Sequence, residues 1–490
     1  MVSNSFIITL LLYIIVIYVI GFIAGISVKK IADFVLADRK LSGPIAALGA
    51  GASDMSGWLL MALPGVVFLS GLNQIWLPLG LVIGAYINWI FIARRLRVYT
   101  EVANNSLTIP AFFDNRFLSS NKRLRIVTSI VIIIFYTFYA SAGFMACALL
   151  TQKIFGLPYF NVLIISSLVM VCYTCIGGFL AVNWIDFFQG LLMFFALLVV
   201  PSVVFYVLGG WEETFIKLES ERSYLQPFHN MKIIGIISLL GWGLGYFGQP
   251  HILARFMAIR SHKEVPVART ICMTWMSLSL LGAVFTGLVG HAYFTGKLEN
   301  HETVFIILAM ELFKPWVSGI LIAAVLSAIM SSVTAQLLSS ASVLAEDIYH
   351  GVFRDKAKQK ELLLVSRMVV IVISIIAVFL VRKPDNTILK VVSYAWAGLG
   401  ASFGPVIFIS LFWSKITRKA AILGMSVATF TVLVWPRLEV FPYEIFKLYE
   451  LIPAFGLNVL TIFIVSKFDK VEDPKILADF EKVSKILKEK

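Results

Sequence analysis

Gly49-Ala50-Gly51-Ala52-Ser53-Asp54-Met55-Ser56-Gly57-Trp58 interrupts an apolar run that extends from about Leu41 to Leu69. The run is long enough to cross a bilayer. Three glycines, two serines and an aspartate fall near its middle. A carboxylate at that depth costs at least ~2.5–3.5 kcal/mol, so it demands a partner or a cavity. Backbone carbonyls freed at that depth persist only where they line a site. The stretch therefore reads as a discontinuous membrane helix whose broken centre holds an ion and a small solute.

Composition sets the class. The 490 residues are 59% hydrophobic and only 14% charged, more apolar surface than a soluble chain of this length can hide. The chain reads as an all-α polytopic membrane protein. A net charge of +13 suggests nucleic acid in a soluble protein, but here it reads as lysine and arginine gathered in cytoplasmic loops. The four cysteines, Cys147, Cys172, Cys175 and Cys272, lie in or beside apolar runs and read as packing residues.

Apolar runs fall at about 5–25, 42–69, 74–93, 126–150, 159–180, 185–208, 233–253, 271–294, 316–340, 364–381, 390–413, 419–436 and 449–466, which predicts about 13 transmembrane helices. The first reads as a span, not a signal peptide, because Lys29 and Lys30 follow it and no basic residue precedes it. Those lysines place the N-terminus outside and the C-terminus in the cytoplasm. Under that alternation roughly 30 of the 41 basic residues fall inside. Glu212, Glu213, Glu219 and Glu221 fall in a loop expected outside. The segment Glu302–Pro315 is expected as an amphipathic outer helix. The tail from Lys467 is expected either to rest near the inner leaflet or to fray in solvent.

A second interruption is Gly241-Trp242-Gly243-Leu244-Gly245-Tyr246-Phe247-Gly248-Gln249-Pro250. Gly243–Gly248 matches G-x-G-x-x-G, but no strand precedes it, a proline follows, and the position about 20 residues on is basic (Arg269). The glycines and proline instead mark a second weakened helix. With the first span set aside, spans 2–6 and 7–11 form two groups of five, each beginning with its interrupted helix. Odd groups have opposite orientation, and paired interruptions in inverted halves point to a transporter's central site.

The candidate ion ligands follow from oxygen counting. The Ser331 and Ser332 hydroxyls, the Ala328 carbonyl and the unwound carbonyls of Ala52 and Met55 supply five neutral oxygens, a set suited to a monovalent ion such as Na+. Asp54 either ligates that ion directly or compensates its charge from behind. Asp186, at the start of span 6, is either functional or a helix N-cap. Arg39 and Arg255 are read either as an inner gate or as positive-inside anchors. Ser56 and Gly57 offer amides at a half-helix start, where a carboxylate is favoured. Trp58, Tyr139, Trp242 and Tyr246 are candidates to wall a compact apolar ring and meet an ammonium.

These residues sit in blocks that carry a resemblance. GASDMSGWLLMALPGVVFLSG (51–71), INWIFIARRLRVYTE (87–101), IGGFLAVNWIDFFQ (176–189), SLLGWGLGYFGQPHILARFMA (238–258) and VVSYAWAGLGASFGPV (391–406) resemble the sodium:solute symporter family, and within it the proline-transporting branch. The resemblance implies a five-plus-five inverted repeat (LeuT-type) with one extra N-terminal helix and two extra C-terminal helices. It divides the chain into 1–28 (extra helix), 41–208 and 232–414 (repeats), 415–466 (accessory helices) and 467–490 (basic cytoplasmic tail). It implies a Na+ site at Ala52, Met55, Ala328, Ser331 and Ser332, with Asp54 serving sodium use. It implies a proline pocket at Ser56, Gly57, Trp58, Tyr139, Trp242, Tyr246 and Pro250. Relatives commonly carry Ser-Thr where this chain has Ser331-Ser332; the hydroxyl is kept and the rotamer restriction lost.

The expected activity is therefore sodium-coupled import of L-proline across the cell membrane by alternating access, with Na+ as co-transported ion and no organic cofactor. The alternatives are Na+ or H+ symport of another small amino acid or carboxylate, and a transporter-like sensor. An enzyme is not expected: no His/Cys/Asp cluster or Ser-His arrangement shares one membrane level. Neither nucleic acid nor an obligate protein partner is indicated.

Overall fold

The computed structural model describes residues 3–26, 28, 30–118, 121–219, 223–383, 387–469 and 473–489, and it is helical nearly throughout. Lys29 and Glu221, used above to argue orientation, lie outside the described residues. The chain opens with α1 (Asn4–Gly25). The first broken span follows as α2 (Gly43–Asp54) and α3 (Leu63–Ser70), joined by a π-helical turn at Trp58–Ala62. Next come α4 (Trp76–Ile87), α5 (Arg94–Val102), α6 (Arg123–Phe155) and α7 (Tyr159–Val207). The second broken span is α8 (Ile233–Gly241), a 3-10 segment Trp242–Gly248 and α9 (Pro250–Ala258). Then follow α10 (Val265–Phe294), α11 (Val304–Leu312), α12 (Pro315–Ser342), α13 (Gln359–Leu380), α14 (Ile388–Phe412), α15 (Arg418–Val434), α16 (Leu451–Phe468) and α17 (Pro474–Lys488). Prolines at the first turns of α2, α9, α10, α12 and α17 mark starts where an amide has no partner to lose. Thr387 and Thr417 cap α14 and α15 by accepting the Lys390 and Ala420 amides.

Among the described residues, ten helices are long and apolar enough to cross a membrane, or eleven with the bent pair Ile233–Gly248 and Pro250–Ala258 counted as one. The expected number was about 13. The difference has two sources. Trp58–Val102 runs on as one 45-residue stretch of helical turns, although Gly71, at φ +81°, ends α3 within it. Tyr159–Cys175, with 17 residues or fewer, falls short of a full span by itself.

α7 is 49 residues long, far more than a bilayer needs. Gly178 breaks it with φ 59° and ψ −165°, and Phe34 packs where a β-carbon at Gly178 would lie. The apolar runs 159–180 and 185–208 are thus joined by a single bend. Asp186 lies two turns beyond it, inside the helix, so its reading as an N-cap is wrong. α17 is not frayed. It docks on α5 through buried Ile476 and Val483, and Arg95 lies 4.9 Å from the Phe480 ring and 5.0 Å from that of Phe412.

The glycines of the second break serve close approach. None of them has positive φ. A β-carbon on Gly84 would run into the Gly243 carbonyl, and one on Gly245 into the Trp396 indole. Gly245→Ala should lower the unfolding midpoint of the solubilised protein by an amount equivalent to about 1–3 kcal/mol. Gly456→Ala, at a site with nothing within 4 Å, should leave the midpoint unchanged.

Candidate functional site

The first break is narrow. Met55 leaves helical geometry with ψ 75°. The Ser56 amide then donates to the Asp54 carbonyl at 2.9 Å, and the Leu59 amide to the Ser56 carbonyl at 3.0 Å. In a continuous helix these amides would serve Ala52 and Met55. The Ala52 and Met55 carbonyls, which ion-ligand counting selected, are therefore among those freed from the ladder. The same bond corrects another expectation: the Ser56 amide is engaged, so of the Ser56 and Gly57 pair only that of Gly57 is left to meet a carboxylate. Gly57 is pressed against α12 and α6. A β-carbon there would lie 2.9 Å from Ile329 Cγ1 and 3.3 Å from Ala146 Cβ. The break thus touches α12 one residue from Ala328.

The second break begins as a tight 3-10 turn and ends at Gln249, extended with φ −85° and ψ 105°; Pro250 then opens α9. The two half-spans are bent by 47°. The breaks meet directly: the Tyr246 hydroxyl donates to Asp54 Oδ2, while Trp58 Nε1 donates to the Asp54 carbonyl at 3.3 Å. Asp54 is buried, and its Oδ1 has no hydrogen-bond partner among the described residues. Asn88 Nδ2 holds the Tyr246 carbonyl at 3.0 Å.

On α12, Ser332 Oγ donates to the Ala328 carbonyl at 2.9 Å, and Ser331 Oγ to Asp186 Oδ1 at 2.6 Å. Each hydroxyl gives away its proton and keeps lone pairs for a cation. Asp186 Oδ2 accepts from Arg255 Nη2 at 2.8 Å, and Arg255 Nη1 donates to the His251 carbonyl at 2.8 Å. Asp186 is 0% exposed and Arg255 1%. Arg255 is thus a buried partner of Asp186, and the anchor reading does not hold for it. α12, α7 and α9 share one charged chain of contacts.

The aromatic candidates divide. Trp242 stacks on Tyr449 with centroids 5.2 Å apart, and its carbonyl accepts from Trp396 Nε1 at 2.9 Å. Tyr246 meets Trp396 edge-on at 5.1 Å. The Tyr139 hydroxyl is buried with no hydrogen-bond partner among the described residues, its ring 6.3 Å from that of His251. Pro250 lines a small apolar cavity with Leu107, Ile109, Phe179, Met257 and Leu338. Tyr449 and Trp396 were missed as site residues. Trp396 lies within the quoted block 391–406; Tyr449 precedes an accessory helix and carries no motif.

Arg39 lies at the end of α9 away from Pro250. Ala37, Asp38 and Arg39 all have positive φ (47°, 49° and 55°), an unfavourable run for non-glycine residues that needs external support. Arg39 supplies it. Its guanidinium donates to Asn105 Oδ1 at 2.8 Å, Thr100 Oγ1 at 3.1 Å, the Met257 carbonyl at 2.7 Å and the Ser106 carbonyl at 2.7 Å. Beside it the Leu41 amide donates to the Ala258 carbonyl at 3.1 Å, and the Arg260 amide to the Leu41 carbonyl at 2.9 Å. The chain entering α2 is thereby latched to the chain leaving α9. A point charge cannot serve these acceptors in fork geometry. A cysteine introduced as Leu107→Cys should label with a hydrophilic thiol reagent several-fold faster when Arg39 is replaced by Lys, as when it is replaced by Ala. Unchanged labelling in Arg39→Lys would mean the charge alone suffices.

The profile of the sodium:solute symporter family matches residues 34–428. The chain is 48% identical over 451 residues to the high-affinity proline transporter PutP of Bacillus subtilis, covering 91% of this chain and 94% of that one. It is 45% identical over 490 residues to a sodium/proline symporter of Salmonella typhimurium (98% and 96% covered). The corresponding Escherichia coli symporter is 45% identical over 478 residues (96% and 94% covered). Among solved structures, a Na+-coupled sialic acid symporter in a substrate-bound outward-open state superposes with a TM-score of 0.81 at 16% identity, covering 95% of this chain and 98% of that one. A nucleobase-cation-symport-1 transporter in a closed, ligand-bound state superposes with a TM-score of 0.57 at 14% identity, covering 91% and 98%. The fold they share is the LeuT-type arrangement of helices around broken spans. This chain belongs to the sodium:solute symporter family.

Proposed function

We propose that the protein is a sodium-coupled L-proline importer of the cell membrane. The observation that carries the substrate is full-length similarity, at 45–48% identity, to proteins that carry proline in their names. The site's chemistry agrees with it. Two buried breaks meet at the Asp54–Tyr246 bond, with the Trp58, Trp242 and Trp396 rings beside them and Ile329 of α12 against Gly57. Proline is small, zwitterionic and apolar in its ring. Its carboxylate is assigned to the Gly57 amide, and its ammonium to the faces of Trp242, Tyr139 and Tyr246.

Na+ is assigned to the carbonyls of Ala52, Met55 and Ala328 and the hydroxyls of Ser331 and Ser332, with Asp54 balancing the charge while bonded to Tyr246. Ion binding there braces α2 against α12. Proline binding then draws the second break inward on its outer side, and release follows when the Arg39 latch opens. The N-terminus is assigned to the outside and the C-terminus, with α17, to the cytoplasm. The repeats are assigned to 41–208 and 232–414. A ligand shifts such an equilibrium only through its difference in affinity for the two states.

The decisive experiment is uptake of labelled proline into proteoliposomes. Accumulation against a gradient is expected with an inward Na+ gradient and not with an H+ gradient; accumulation driven by H+ alone would select the proton-coupled alternative. Ser332→Ala should raise the Na+ concentration for half-maximal uptake about tenfold, equivalent to ~1.4 kcal/mol, at unchanged protein level. Trp242→Ala should weaken proline several-fold and leave Na+ binding intact; an equal loss of both would place Trp242 in the fold and not in the pocket.

A further inference from the structure

The helix outside both repeats is bonded to residues one turn from Asp186 and Ser331. α1 is apolar on all sides, and most of its large residues face outward; one narrow stripe of Phe6, Leu10, Tyr13, Ile17 and Gly21 is buried, against α7 and α12. At Gly319 a β-carbon would come within 2.8 Å of Thr9 Cβ, so α1 sits close on α12. In the middle of the stripe stands a hydroxyl. Gln189 Nε2 donates to Tyr13 OH at 2.9 Å, the Ser327 hydroxyl is bonded to it at 2.9 Å while also reaching the Ala323 carbonyl at 2.7 Å, and Met330 Sδ lies 4.0 Å away. Tyr13 is 6% exposed. A phenylalanine would fill the same space, so packing does not require the hydroxyl.

The partners are placed tellingly. Gln189 lies one turn beyond Asp186 on α7, and Ser327 one turn before Ser331 on α12. Asp186 and Ser331 are themselves bonded at 2.6 Å. Tyr173 of α7 donates to the Met330 carbonyl at 3.1 Å. The turn of α12 from Ser327 to Ser331 is thus held by Tyr13, Tyr173 and Asp186, and Ile329, within that turn and next to Ala328, packs against Gly57 of the first break.

We propose that Tyr13 is a positioning residue for the Na+ site: by tying Ser327 to Gln189 it fixes the rotation and height of the α12 turn that presents Ala328, Ser331 and Ser332. Tyr13 touches neither ion nor solute. This inference rests on the Na+ assignment above. It predicts a specific split. Tyr13→Phe, which keeps the ring and removes the bonds to Gln189 and Ser327, raises the Na+ concentration for half-maximal proline uptake about three- to tenfold, within the range for interhelical hydrogen bonds in membrane proteins. The proline concentration for half-maximal uptake at saturating Na+, the maximal rate and the amount of protein stay as in the parent.

Ser327→Ala supplies a second, independent variant and should give the same split. The double variant should shift Na+ dependence by less than the sum of the two single shifts, because the variants share the Tyr13–Ser327 bond, while Tyr13→Phe also removes the Gln189 bond and Ser327→Ala the Ala323 bond. Additive shifts would overturn the proposal. So would an unchanged Na+ dependence in Tyr13→Phe, or an equal change in Na+ and proline dependence. Ser332→Ala separates the two levels: if it shifts Na+ dependence and Tyr13→Phe does not, the Na+ site stands and the role of Tyr13 falls. If neither shifts it, both fall.

Discussion

The bond from the Tyr246 hydroxyl to the Asp54 carboxylate is the constraint around which the molecule is arranged. A carboxylate this far from water has to be satisfied from inside the protein. Its partner lies on the other broken span, so the two breaks have to meet. Once they meet, each needs a wall that comes close enough to exclude lipid from exposed backbone. α4 and α14 provide that wall for the second break, through Gly84 against the Gly243 carbonyl and Trp396 against Gly245. α12 and α6 provide it for the first, through Ile329 and Ala146 against Gly57.

A second consequence concerns how the site is tied to the latch. Arg255 is on α9, the half-span that runs from the second break to the Arg39 latch. Its guanidinium is held by Asp186, which is held in turn by Ser331. The proposed ion site and the latched half-span are therefore ends of one buried hydrogen-bonded chain. Removing one member of such a pair leaves an uncompensated buried charge, which is strongly destabilising. A shift of α9 relative to α12 has to carry the pair along or exchange its partners.

Much of this was legible in the residues. The run Gly49–Trp58 located the first break, and the structure narrows it to Met55–Gly57, where the amide bonding skips Ala52 and Met55. The second break was legible from glycine and proline, but for an incomplete reason: those glycines admit neighbouring backbone and indole as much as they loosen a helix. The family was legible from contiguous blocks. Less was visible where the information is three-dimensional. Asp186 looked like a helix start because the bend at Gly178 cannot be positioned from hydropathy, which is continuous through it. The count of spans differed because one left-handed glycine inside Trp58–Val102 leaves the helical run unbroken by length. Tyr13 and Tyr449 carried no signal, since single aromatics in apolar runs are ordinary and only the fold brings them beside α12 and Trp242.

The central claim is that one alkali ion and one imino acid share a pocket made where two broken spans meet. Linkage then requires each to tighten the other by the same factor. The measurement is equilibrium binding to the purified protein: labelled proline titrated with and without saturating Na+, and labelled Na+ titrated with and without saturating proline. The account predicts two equal ratios of dissociation constants, both well above one. Proline binding indifferent to Na+ would contradict it.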